Sequence, residues 1–402
     1  MIVDGMVLRE GYLSKLDAHR DRRDIAKIIT GVRRCGKSVL MRQYMDRLAA
    51  SGVGRDRIAY VNMESSEYSS VEDFREFDRV LRGLVAEGSR TYVFIDEVQN
   101  VRGWEKSVNA LMVDRDVDVY LTGSNARLLS SELSTMISGR CVEIAMTPLS
   151  FPEYLELHPA DGASGVESRF DGYVRYGALP AVDPDDPRDA IIDVLSGIYN
   201  TVLVKDVMGR LEMRDPSALV RISKFLMSNI GNRTSIHGVA SEIGLSDATV
   251  ERYASALTDA LLLYRADRYD VRGKKTLSSG GKYYASDTGI RNAVLGHAAG
   301  GDLGRQLENV VYLELRRRGY EVVTGSYRDL EVDFAALKGG RTEYYQVAQT
   351  LLGDDVAERE ARSLRGIGDS FPKTILSLDR VMAEPGGGIS HVNLIDWLLG
   401  KA

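Results

Sequence analysis

The stretch Gly31-Val32-Arg33-Arg34-Cys35-Gly36-Lys37-Ser38 decides the fold of the first part of this chain. It follows an apolar run at residues 25–30 and opens an amphipathic segment that continues through Leu48. A strand, a glycine-rich loop and a helix in this order, with the pattern G-x-x-x-x-G-K-S, build a cradle for phosphate. The glycines permit a compact loop whose N–H groups point inward, and the helix adds the positive end of its dipole.

Side chains and backbone groups of this loop have expected roles toward a nucleotide. Lys37 supplies a mobile cation for the β- and γ-phosphates, and the Ser38 hydroxyl can ligate Mg²⁺. Cys35 fills a small position, because no neighbouring base marks it as reactive. The residues expected to surround the nucleotide are Gly31, Val32, Arg33, Arg34, Cys35, Gly36, Lys37, Ser38 and Val39.

Two acids follow a second apolar strand. Residues 91–95 are apolar and end in Asp96 and Glu97. We expect Asp96 to hold Mg²⁺ through its water shell, since Mg²⁺ keeps most of its waters. Glu97 is the expected general base that polarises the attacking water. Without the upstream phosphate loop, the same pair of acids would indicate only a solvated turn.

Size and composition describe an ordinary globular protein with several domains. The chain has 402 residues, of which 44% are hydrophobic and 27% charged, and this length predicts two to three domains. The net charge of −6 argues against a globally basic nucleic-acid coat protein, although local basic patches stay open. The two cysteines, Cys35 and Cys141, have no metal-ligand spacing and imply no disulfide framework, which fits a reducing compartment.

The sequence shows no targeting signal. No basic segment followed by a long apolar core stands at the N-terminus, so no signal peptide is expected. No uninterrupted apolar run reaches about 18 residues, so no membrane span and no membrane partner are expected. The expected location is therefore the cytoplasm.

Residues 1–150 alternate between strand-like and helix-like patterns. Alternation of this kind predicts a parallel sheet with helices on both faces, and ligands then bind at the carboxyl ends of the strands. Both candidate phosphate-site motifs fall at such ends. The strand candidates are residues 25–30, 57–62, 91–95, 116–122 and 140–146, and helix candidates between them include 71–84 and 104–113.

The remainder of the chain falls into three further regions. Residues 151–230 have a helical pattern, and residues 231–287 read as a winged helix. Within the latter, apolar spacing over 236–243, then Gly244 as a helix end and Ser246 as an N-cap, predict a helix–turn–helix. Strand-like residues 261–269 and 282–285 are the expected wing. Residues 288–402 form a mixed α/β unit.

Several short strings accompany the phosphate loop along the chain. They are Asp96-Glu97-Val98-Gln99 with Trp104 soon after, Leu121-Thr122-Gly123-Ser124, Ser138-Gly139-Arg140, Thr147-Pro148-Leu149-Ser150-Phe151, Gly177-Ala178-Leu179-Pro180, Lys205-Asp206, Lys282-Tyr283-Tyr284-Ala285-Ser286-Asp287-Thr288-Gly289, Glu331-Val332-Asp333-Phe334 and Tyr345-Gln346-Val347. With these strings the chain resembles a group of prokaryotic AAA+-type ATPases, similar to archaeal ATPases and to the signal-transducing STAND NTPases. The resemblance covers nearly the whole chain.

This resemblance implies roles for four more residues. Ser124 or Asn125 would be the sensor group near the γ-phosphate, although an N-cap role is equally open for Asn125. Arg140 matches an arginine finger that acts in cis or in trans, with a surface salt bridge as the alternative. Pro180 matches a proline that packs on adenine, with a simple turn as the alternative. From the residues alone, Trp104 is expected in the core, with stacking on a base as the alternative.

The C-terminal region resembles a PD-(D/E)xK nuclease fold. Glu308 lies on a predicted helix, and Asp333 and Gln346 lie on two predicted strands. The position expected for the lysine of such a site holds Ala348, and Lys338 lies across a turn. We therefore expect a restriction-endonuclease-like scaffold that is inactive as a nuclease.

Nucleic-acid contact remains open from the sequence. The second helix of the predicted helix–turn–helix carries acids and one arginine, which makes a poor major-groove reader. DNA binding and a structural or oligomerising role both stay open, and the run Arg316-Arg317-Arg318 reads as a solvated helix end or a phosphate patch. Basic residues gather in the wing at Arg265, Arg268, Arg272, Lys274 and Lys275.

Taken together, the motifs predict an α/β P-loop NTPase sheet with a helical lid, a winged helix–turn–helix and a C-terminal α/β nuclease-like domain. The predicted activity is Mg²⁺-dependent ATP binding and hydrolysis that drives a conformational or oligomeric switch. ATP and ADP are the expected ligands, and the oligomeric state stays open from the sequence, with a homo-oligomer as one candidate. The alternatives are an ATP-gated DNA-binding protein and an ATP-coupled nuclease acting through the C-terminal domain.

Overall fold

The computed structural model of the chain describes residues 2–3, 5–85, 88–125, 139–209, 211, 216–296, 302–327, 330–381 and 385–401. The chain divides into two compact units. The first contains Met1–Met146 together with Asp259–Leu261, and the second contains Thr147–Thr258 together with Leu262–Ala402. The three regions expected beyond residue 150 lie in the second unit, apart from the short segment Asp259–Leu261.

The first unit alternates strands and helices as the sequence predicts, and each predicted strand is observed within one residue of its expected bounds. Its elements are β1 (Ile2–Val3), β2 (Met6–Val7), α1 (Glu10–Asp17), β3 (Ala26–Thr30), α2 (Lys37–Ala50), β4 (Ile58–Asn62), α3 (Phe74–Leu84), β5 (Thr91–Asp96), α4 (Trp104–Asp114), β6 (Val117–Gly123) and β7 (Cys141–Ala145).

A five-stranded parallel sheet in the order β4-β5-β6-β3-β7 forms the centre of this unit. Strands β3, β5 and β6 are buried along their whole length, which fits their mainly apolar sequence, and the two charges inside them, Lys27 and Asp118, pair with each other. Because β6 lies between β3 and β5, the segments that follow these three strands meet at one edge of the sheet. This order places the phosphate loop and the two acids on either side of the end of β6.

Side chains alternate between the two faces of the sheet, and each face has its own core. One face packs on α3 and α4 through residues such as Phe77 and Trp104, which confirms the core role expected for Trp104. On the other face Tyr44 of α2 packs on Phe94 and Tyr120, whose rings stack with centroids 4.7 Å apart. The phosphate loop is therefore attached to a strand and a helix that are both fixed by packing.

The second unit contains the remaining elements. Its helices are α5 (Phe151–Leu157), α6 (Gly162–Tyr176), α7 (Arg188–Thr201), α8 (Pro216–Ser228), α9 (Ile236–Ile243), α10 (Asp247–Asp259), α11 (Thr288–Leu295), α12 (Leu303–Arg317), α13 (Asp354–Gly366) and α14 (Leu394–Leu398). Its strands are β8 (Leu263–Asp270), β9 (Lys275–Ala285), β10 (Glu321–Tyr327), β11 (Leu330–Lys338), β12 (Arg341–Val347), β13 (Lys373–Ser377) and β14 (Ile389–Asn393). None of the helices described here combines the length and hydrophobicity that crossing a bilayer requires.

The predicted helix–turn–helix is observed as α9 and α10. Gly244 ends α9 with a φ of +73°, and the Ser246 hydroxyl accepts a hydrogen bond of 3.2 Å from the Thr249 N–H at the start of α10. Both residues therefore have the capping roles that the sequence predicts.

The hairpin expected as a wing belongs to a larger sheet. Strands β8 and β9 pair antiparallel, and β8 also pairs in parallel with β10, so that all seven strands form one sheet in the order β14-β13-β12-β11-β10-β8-β9. Backbone groups on the free edge of β8 need partners, and β10 supplies them. The hairpin thus joins the helix–turn–helix region to the C-terminal α/β region through main-chain hydrogen bonds.

Two of the family-like strings contact each other within the second unit. The carboxylate of Asp287 accepts the N–H of Ala178 at 2.7 Å and the N–H of Ile290 at 3.0 Å. A Cβ at Gly177 would lie 2.1 Å from that carboxylate, and a Cβ at Gly289 would lie 1.9 Å from the carbonyl oxygen of Tyr176. The glycines of both strings are therefore required by close packing between α6 and α11.

The string at residues 147–151 is held by Arg317. Its guanidinium donates to the Thr147 hydroxyl at 3.1 Å and to the carbonyl oxygens of Pro148 and Leu149 at 3.1 and 3.3 Å. The neighbouring guanidinium groups lie over aromatic rings, Arg316 over Tyr264 and Arg318 over Trp397. Both sequence interpretations of this arginine run, a solvated helix end and a phosphate patch, are therefore wrong, because its charges are used inside the unit.

Replacement of Gly177 by alanine tests the close packing at Asp287. Gly177 has a φ of +79° and Gly162 a φ of +68°, but only a Cβ at Gly177 would meet another group within 4 Å. We expect Gly162→Ala to lower the free energy of unfolding by about 1–2 kcal/mol through backbone strain. Gly177→Ala should cost about 1–3 kcal/mol more, because the Asp287 carboxylate must move. Urea unfolding of both variants measures this difference, and equal losses would contradict it.

Candidate nucleotide-binding site

The loop between β3 and α2 presents backbone groups suited to an anion. Gly36 has a φ of +104° and Arg34 a φ of +67°, and such left-handed residues make successive N–H groups converge. No side chain caps the N-terminus of α2, which begins at Lys37. The first N–H groups of this helix and the positive end of its dipole therefore remain available for phosphate.

Gly31 is required by space rather than by backbone conformation. A Cβ at this position would lie 2.5 Å from the carbonyl oxygen of Met146 and 2.7 Å from the Cys35 sulfur. The Cys35 side chain is fully buried, and burial raises the pKa of its thiol. Cys35 is thus an inert packing residue, as the sequence predicts.

The Lys37 ammonium lies at the centre of the site and is only 4% exposed. It donates to the carbonyl oxygen of Gly31 at 3.1 Å and to the Ser124 hydroxyl at 2.8 Å. It also forms an ion pair with Glu97, with 3.5 Å between Nζ and Oε1. One cation therefore connects the phosphate loop, the end of β6 and the end of β5.

Asp96 ends β5 and is held by two hydroxyl groups. The Thr122 hydroxyl donates to one carboxylate oxygen, and the Tyr60 hydroxyl donates to the other at 2.9 Å. Burial and the adjacent Asp96 carboxylate raise the pKa of Tyr60 to about 12, so Tyr60 remains a donor at neutral pH. These two bonds fix the orientation of a carboxylate that retains lone pairs for a further partner.

Glu97 has an unusual backbone conformation, with a φ of +54°. Its N–H donates to the Thr122 hydroxyl oxygen at 2.9 Å. Its carboxylate accepts the Ser124 hydroxyl at 3.0 and 3.1 Å and the side-chain amide of Gln99. Strained residues that several contacts hold in place are common at functional sites.

The pKa of Glu97 results from opposing effects. Burial raises it, but the Lys37 ammonium, the Gln99 hydrogen bond, the Arg33 charge and the Ser124 hydrogen bond together bring the pKa below its ordinary value. Glu97 is therefore a carboxylate at neutral pH, which is the form a general base requires.

Gln99 belongs to the site, although no chemical role for it could be assigned from the sequence. It lies in the short turn Val98–Asn100, directly after Glu97, and its amide donates to the Glu97 carboxylate. The available signal was an amide side chain two residues after an acid at a strand end. Sequence alone does not say that the turn folds the amide back onto that acid.

The other predicted residues lie around this centre. Ser124 is completely buried between Lys37 and Glu97, and Asn125 beside it is also buried. Arg33 pairs with Glu64 at 3.1 Å, whereas Arg34 is exposed. Ser38 and Val39 are half-buried in the first turn of α2, and Val32 is buried. Pro180 belongs to the second unit, so its contact with adenine stays a prediction.

Arg140 does not lie at this edge of the sheet. Its carbonyl oxygen accepts the N–H of Ala26 at the first residue of β3, whereas the phosphate loop follows the last residue of that strand. The length of β3 separates the two by roughly 13 Å along the strand direction. Arg140 is exposed, and it pairs with no acid in the part of the chain that the structure describes. Ser138, from the same string, lies outside the described residues.

A second charged cluster surrounds Lys282 on β9. Its ammonium lies 2.8 Å from a carboxylate oxygen of Glu308, 2.8 Å from one of Glu331 and 3.3 Å from one of Asp333. The Tyr284 hydroxyl donates to Glu308 at 2.6 Å. Burial and the Glu308 charge raise the pKa of Asp333 above its ordinary value, against the opposing effect of Lys282.

This cluster shows which lysine lies beside the residues that resemble a nuclease site. Glu308, Asp333 and Gln346 lie on α12, β11 and β12 as predicted, and the Gln346 side-chain oxygen accepts the N–H of Asp333 at 3.3 Å. The lysine beside them is Lys282, and Lys338 instead donates to the carbonyl oxygen of Arg318 at 2.6 Å. Among the described residues, no group of three or more metal-ligating side chains is arranged to hold a metal ion.

Two family models match the chain, and the boundary between their matches lies near the boundary between the two structural units. Residues 23–155 match an AAA domain, and residues 167–300 match a domain of unknown function (DUF8612). An uncharacterized protein of Haemophilus influenzae is 37% identical over 402 residues, which covers 98% of this chain and 99% of that protein. An uncharacterized protein of Methanocaldococcus jannaschii is 27% identical over 354 residues, covering 84% of this chain and 77% of that protein.

Similar solved structures include the Aeropyrum pernix ORC1 protein in complex with DNA, with a TM-score of 0.33 and 14% identity over 72% of this chain and 92% of that one. A DNA polymerase III gamma subunit-related protein from Thermotoga maritima has a TM-score of 0.29 and 9% identity over 62% of this chain and 99% of that one. These scores are too low to bear on function. The phosphate loop lies inside the matched AAA domain, and the H. influenzae protein aligns over nearly its whole length. The chain belongs to the family of P-loop AAA-domain proteins that includes this relative.

Proposed function

We propose that the first unit binds ATP with Mg²⁺ and hydrolyses it to ADP and phosphate. The observation that carries this proposal is the contact of Lys37, Ser124 and Glu97 at the edge of the sheet, beside a helix N-terminus that no side chain caps. A phosphate cation, a polar orienting group and an ionised base thus converge within hydrogen-bonding distance.

Phosphate binding rearranges the contacts of Lys37. The triphosphate lies against the loop N–H groups, and its terminal oxygens compete with the Glu97 carboxylate for the Lys37 ammonium, 3.5 Å away. As the ammonium turns to the phosphate, Glu97 loses its ion pair but keeps the hydrogen bonds from Ser124 and Gln99. Binding of the substrate therefore frees the base without displacing it.

Ser38 and Asp96 are the residues that would hold Mg²⁺. Their oxygen atoms suit this hard cation, and the Thr122 and Tyr60 hydroxyl groups already fix the Asp96 carboxylate. Bound there, Mg²⁺ neutralises negative charge on the phosphates.

The hydrolytic step uses the ionised form of Glu97. A water molecule attacks the γ-phosphorus in line, the bond to the bridging oxygen breaks, and Glu97 accepts the proton that the water loses. Lys37 stabilises the charge on the phosphate oxygens. Ser124 and Gln99 are positioning residues, because they hold the carboxylate toward the loop.

The position of Arg140 favours action between subunits. Arg140 is exposed and its backbone lies at the opposite edge of the sheet from its own phosphate loop, which supports an arginine finger that serves the nucleotide of a neighbouring copy. On this proposal, turnover drives a change in the homo-oligomer. Asn125 remains the second candidate for the sensor, and Pro180 the candidate for adenine contact.

For the C-terminal region, the proposal is a scaffold without nuclease chemistry. Lys282 contacts all three carboxylates directly, Arg233 also pairs with Glu331, and the position two residues after Gln346 holds Ala348 rather than lysine. A buried ammonium with three acceptors satisfies its hydrogen-bonding capacity inside the protein. The cluster then joins β9, α12 and β11 and does not act on phosphodiesters.

Substitution of the two central charged residues separates binding from chemistry. Lys37→Ala should abolish ATP binding measured by calorimetry, whereas the exposed control Lys15→Ala should bind as the parent does. Glu97→Gln should bind ATP within a few-fold of the parent and reduce kcat by about 100-fold or more. Hydrolysis that survives in Lys37→Ala, or a parental kcat in Glu97→Gln, would contradict the mechanism.

The role of Gln99 predicts a shift in the pH dependence of kcat. Glu97 is active as the carboxylate, so activity is lost as pH falls through its pKa. Loss of the Gln99 donor in Gln99→Ala removes one of the effects that lower this pKa. The acid limb of the kcat profile should therefore move to higher pH while ATP affinity stays constant. Gln99→Asn should restore part of the parental profile, and an unshifted acid limb in Gln99→Ala would exclude this role.

The scaffold role of Lys282 predicts a loss of stability. Lys282→Met leaves the buried carboxylates of Glu308 and Asp333 without this cation, and this should lower the free energy of unfolding by about 3–5 kcal/mol. Lys274→Met, at an exposed lysine, should change it by no more than about 0.5 kcal/mol. Urea unfolding near pH 7 measures both. Equal stability of the two variants, or cleavage of DNA by the parent in Mg²⁺ or Mn²⁺ that Asp333→Ala abolishes, would reject the scaffold.

A further inference from the structure

A pocket of about 350 Å³ lies on the seven-stranded sheet, between two of its hairpin turns. The turn after β8 contributes Val271 and Lys274 to one side, and the turn from Lys338 to Arg341 forms the other. This volume is in the range of small-ligand sites. We call it the hairpin pocket.

The floor of the hairpin pocket is aromatic. Tyr344 is 2% exposed, and its hydroxyl donates to Asp369 at 2.7 Å, which fixes the ring. Tyr269 and Phe371 are half-buried and pack against the core of this sheet. The partly exposed rings of Tyr269 and Phe371 offer surfaces on which a planar group can stack, whereas the Tyr344 ring is buried and completes the aromatic floor.

The rim of the pocket is basic, although the whole chain carries a net charge of −6. Lys274, Lys338 and Arg341 line it beside one acid, Glu321. Lys274 and Arg341 are exposed and pair with no acid among the residues that the structure describes. Lys338 is anchored by its bond to the carbonyl oxygen of Arg318. Two of the three cations are thus available to an anionic ligand.

The turn between β11 and β12 leaves room beside its backbone. Gly339 and Gly340 have φ values of +56° and +79°, and a Cβ at either would meet nothing within 4 Å. Left-handed glycines allow the tight turn, and the open space beside them lets a ligand approach the main chain. The pocket therefore combines a flat apolar floor with a cationic rim and an accessible turn.

A planar ring next to a phosphate is the chemistry of a nucleotide. We propose that the hairpin pocket binds one nucleotide of a single-stranded nucleic acid, with its base on the aromatic floor and its phosphate at Lys274 and Arg341. Two further cations of the same hairpin, Arg272 and Lys275, are exposed outside the pocket lining. A strand that continues past the pocket would place its next phosphates there, whereas a free nucleotide would not reach them.

This surface suits nucleic acid better than the helix–turn–helix does. Helix α10 begins with the acid Asp247 and carries Glu251, both exposed, and these repel phosphates. The basic residues of the predicted wing also divide between two roles. Arg268 donates to the Ser326 hydroxyl inside the sheet at 2.8 Å, and Arg265 pairs with Asp267 at 3.0 Å. Of the five wing cations, Arg272, Lys274 and Lys275 lie at the hairpin turn, are exposed and pair with no acid in the part of the chain that the structure describes.

Fluorescence anisotropy with the full chain and a labelled oligothymidylate of about 15 nucleotides tests this site. The single strand should bind, and the double variant Lys274→Glu with Arg341→Glu should weaken binding by about tenfold or more and reduce the salt slope by about 1.4. Tyr269→Ala should weaken binding by about tenfold through lost stacking. The matched control is Arg359→Glu, an exposed arginine that pairs with Glu360, and it should bind within about twofold of the parent.

Three further measurements distinguish a single strand from a free nucleotide and from a duplex, and they separate this proposal from the proposal of ATP hydrolysis. The Lys37→Ala protein should bind the single strand as the parent does, so failure of the ATPase proposal does not affect this one. Adenosine monophosphate at millimolar concentration should not displace the strand from that protein. The same oligonucleotide annealed to its complement should bind more weakly. Absent binding, unchanged affinity in the double variant, displacement by the mononucleotide or equal binding of the duplex would each overturn the proposal.

Discussion

The contact of the Lys37 ammonium with Ser124 and Glu97 is the interaction on which the candidate active site depends. It exists because β6 lies between β3 and β5, so that three segments far apart in sequence end at one edge of the sheet. Because both side chains are buried, the Lys37 ammonium and the Glu97 carboxylate strongly affect each other's charge state. A bound phosphate must therefore replace Glu97 as a partner of the ammonium.

In the second unit, single buried charges join distant segments. Asp287 caps α11 and also binds the N–H of Ala178, while Arg317 holds the segment that begins at Thr147. Lys282 connects β9, α12 and β11 through three carboxylates. Asp287 and Lys282 belong to one of the short family-like strings, and Arg317 holds another of them. Their contacts show that such strings also serve to fix the packing of a large α/β unit.

The distribution of charge separates structural from ligand-binding groups. Arg316, Arg317, Arg318 and Lys282 use their charges on partners inside the unit, so neither they nor the acids they meet remain for a ligand. At the hairpin pocket, the exposed Lys274 and Arg341 pair with no acid among the described residues. A run of basic residues in the sequence therefore does not by itself identify a ligand site, because the contacts in the folded protein decide which of its charges already have partners.

The sequence by itself determined the parallel sheet, the bounds of its strands, the phosphate loop and the two acids after β5, because apolar periodicity and glycine spacing are local properties. It also determined the caps at Gly244 and Ser246. Only the tertiary structure decided that Gln99 turns back onto Glu97 and that Lys282 rather than Lys338 stands among the carboxylates. These depend on strand order and on which distant elements pack together, and no local pattern in the sequence encodes either.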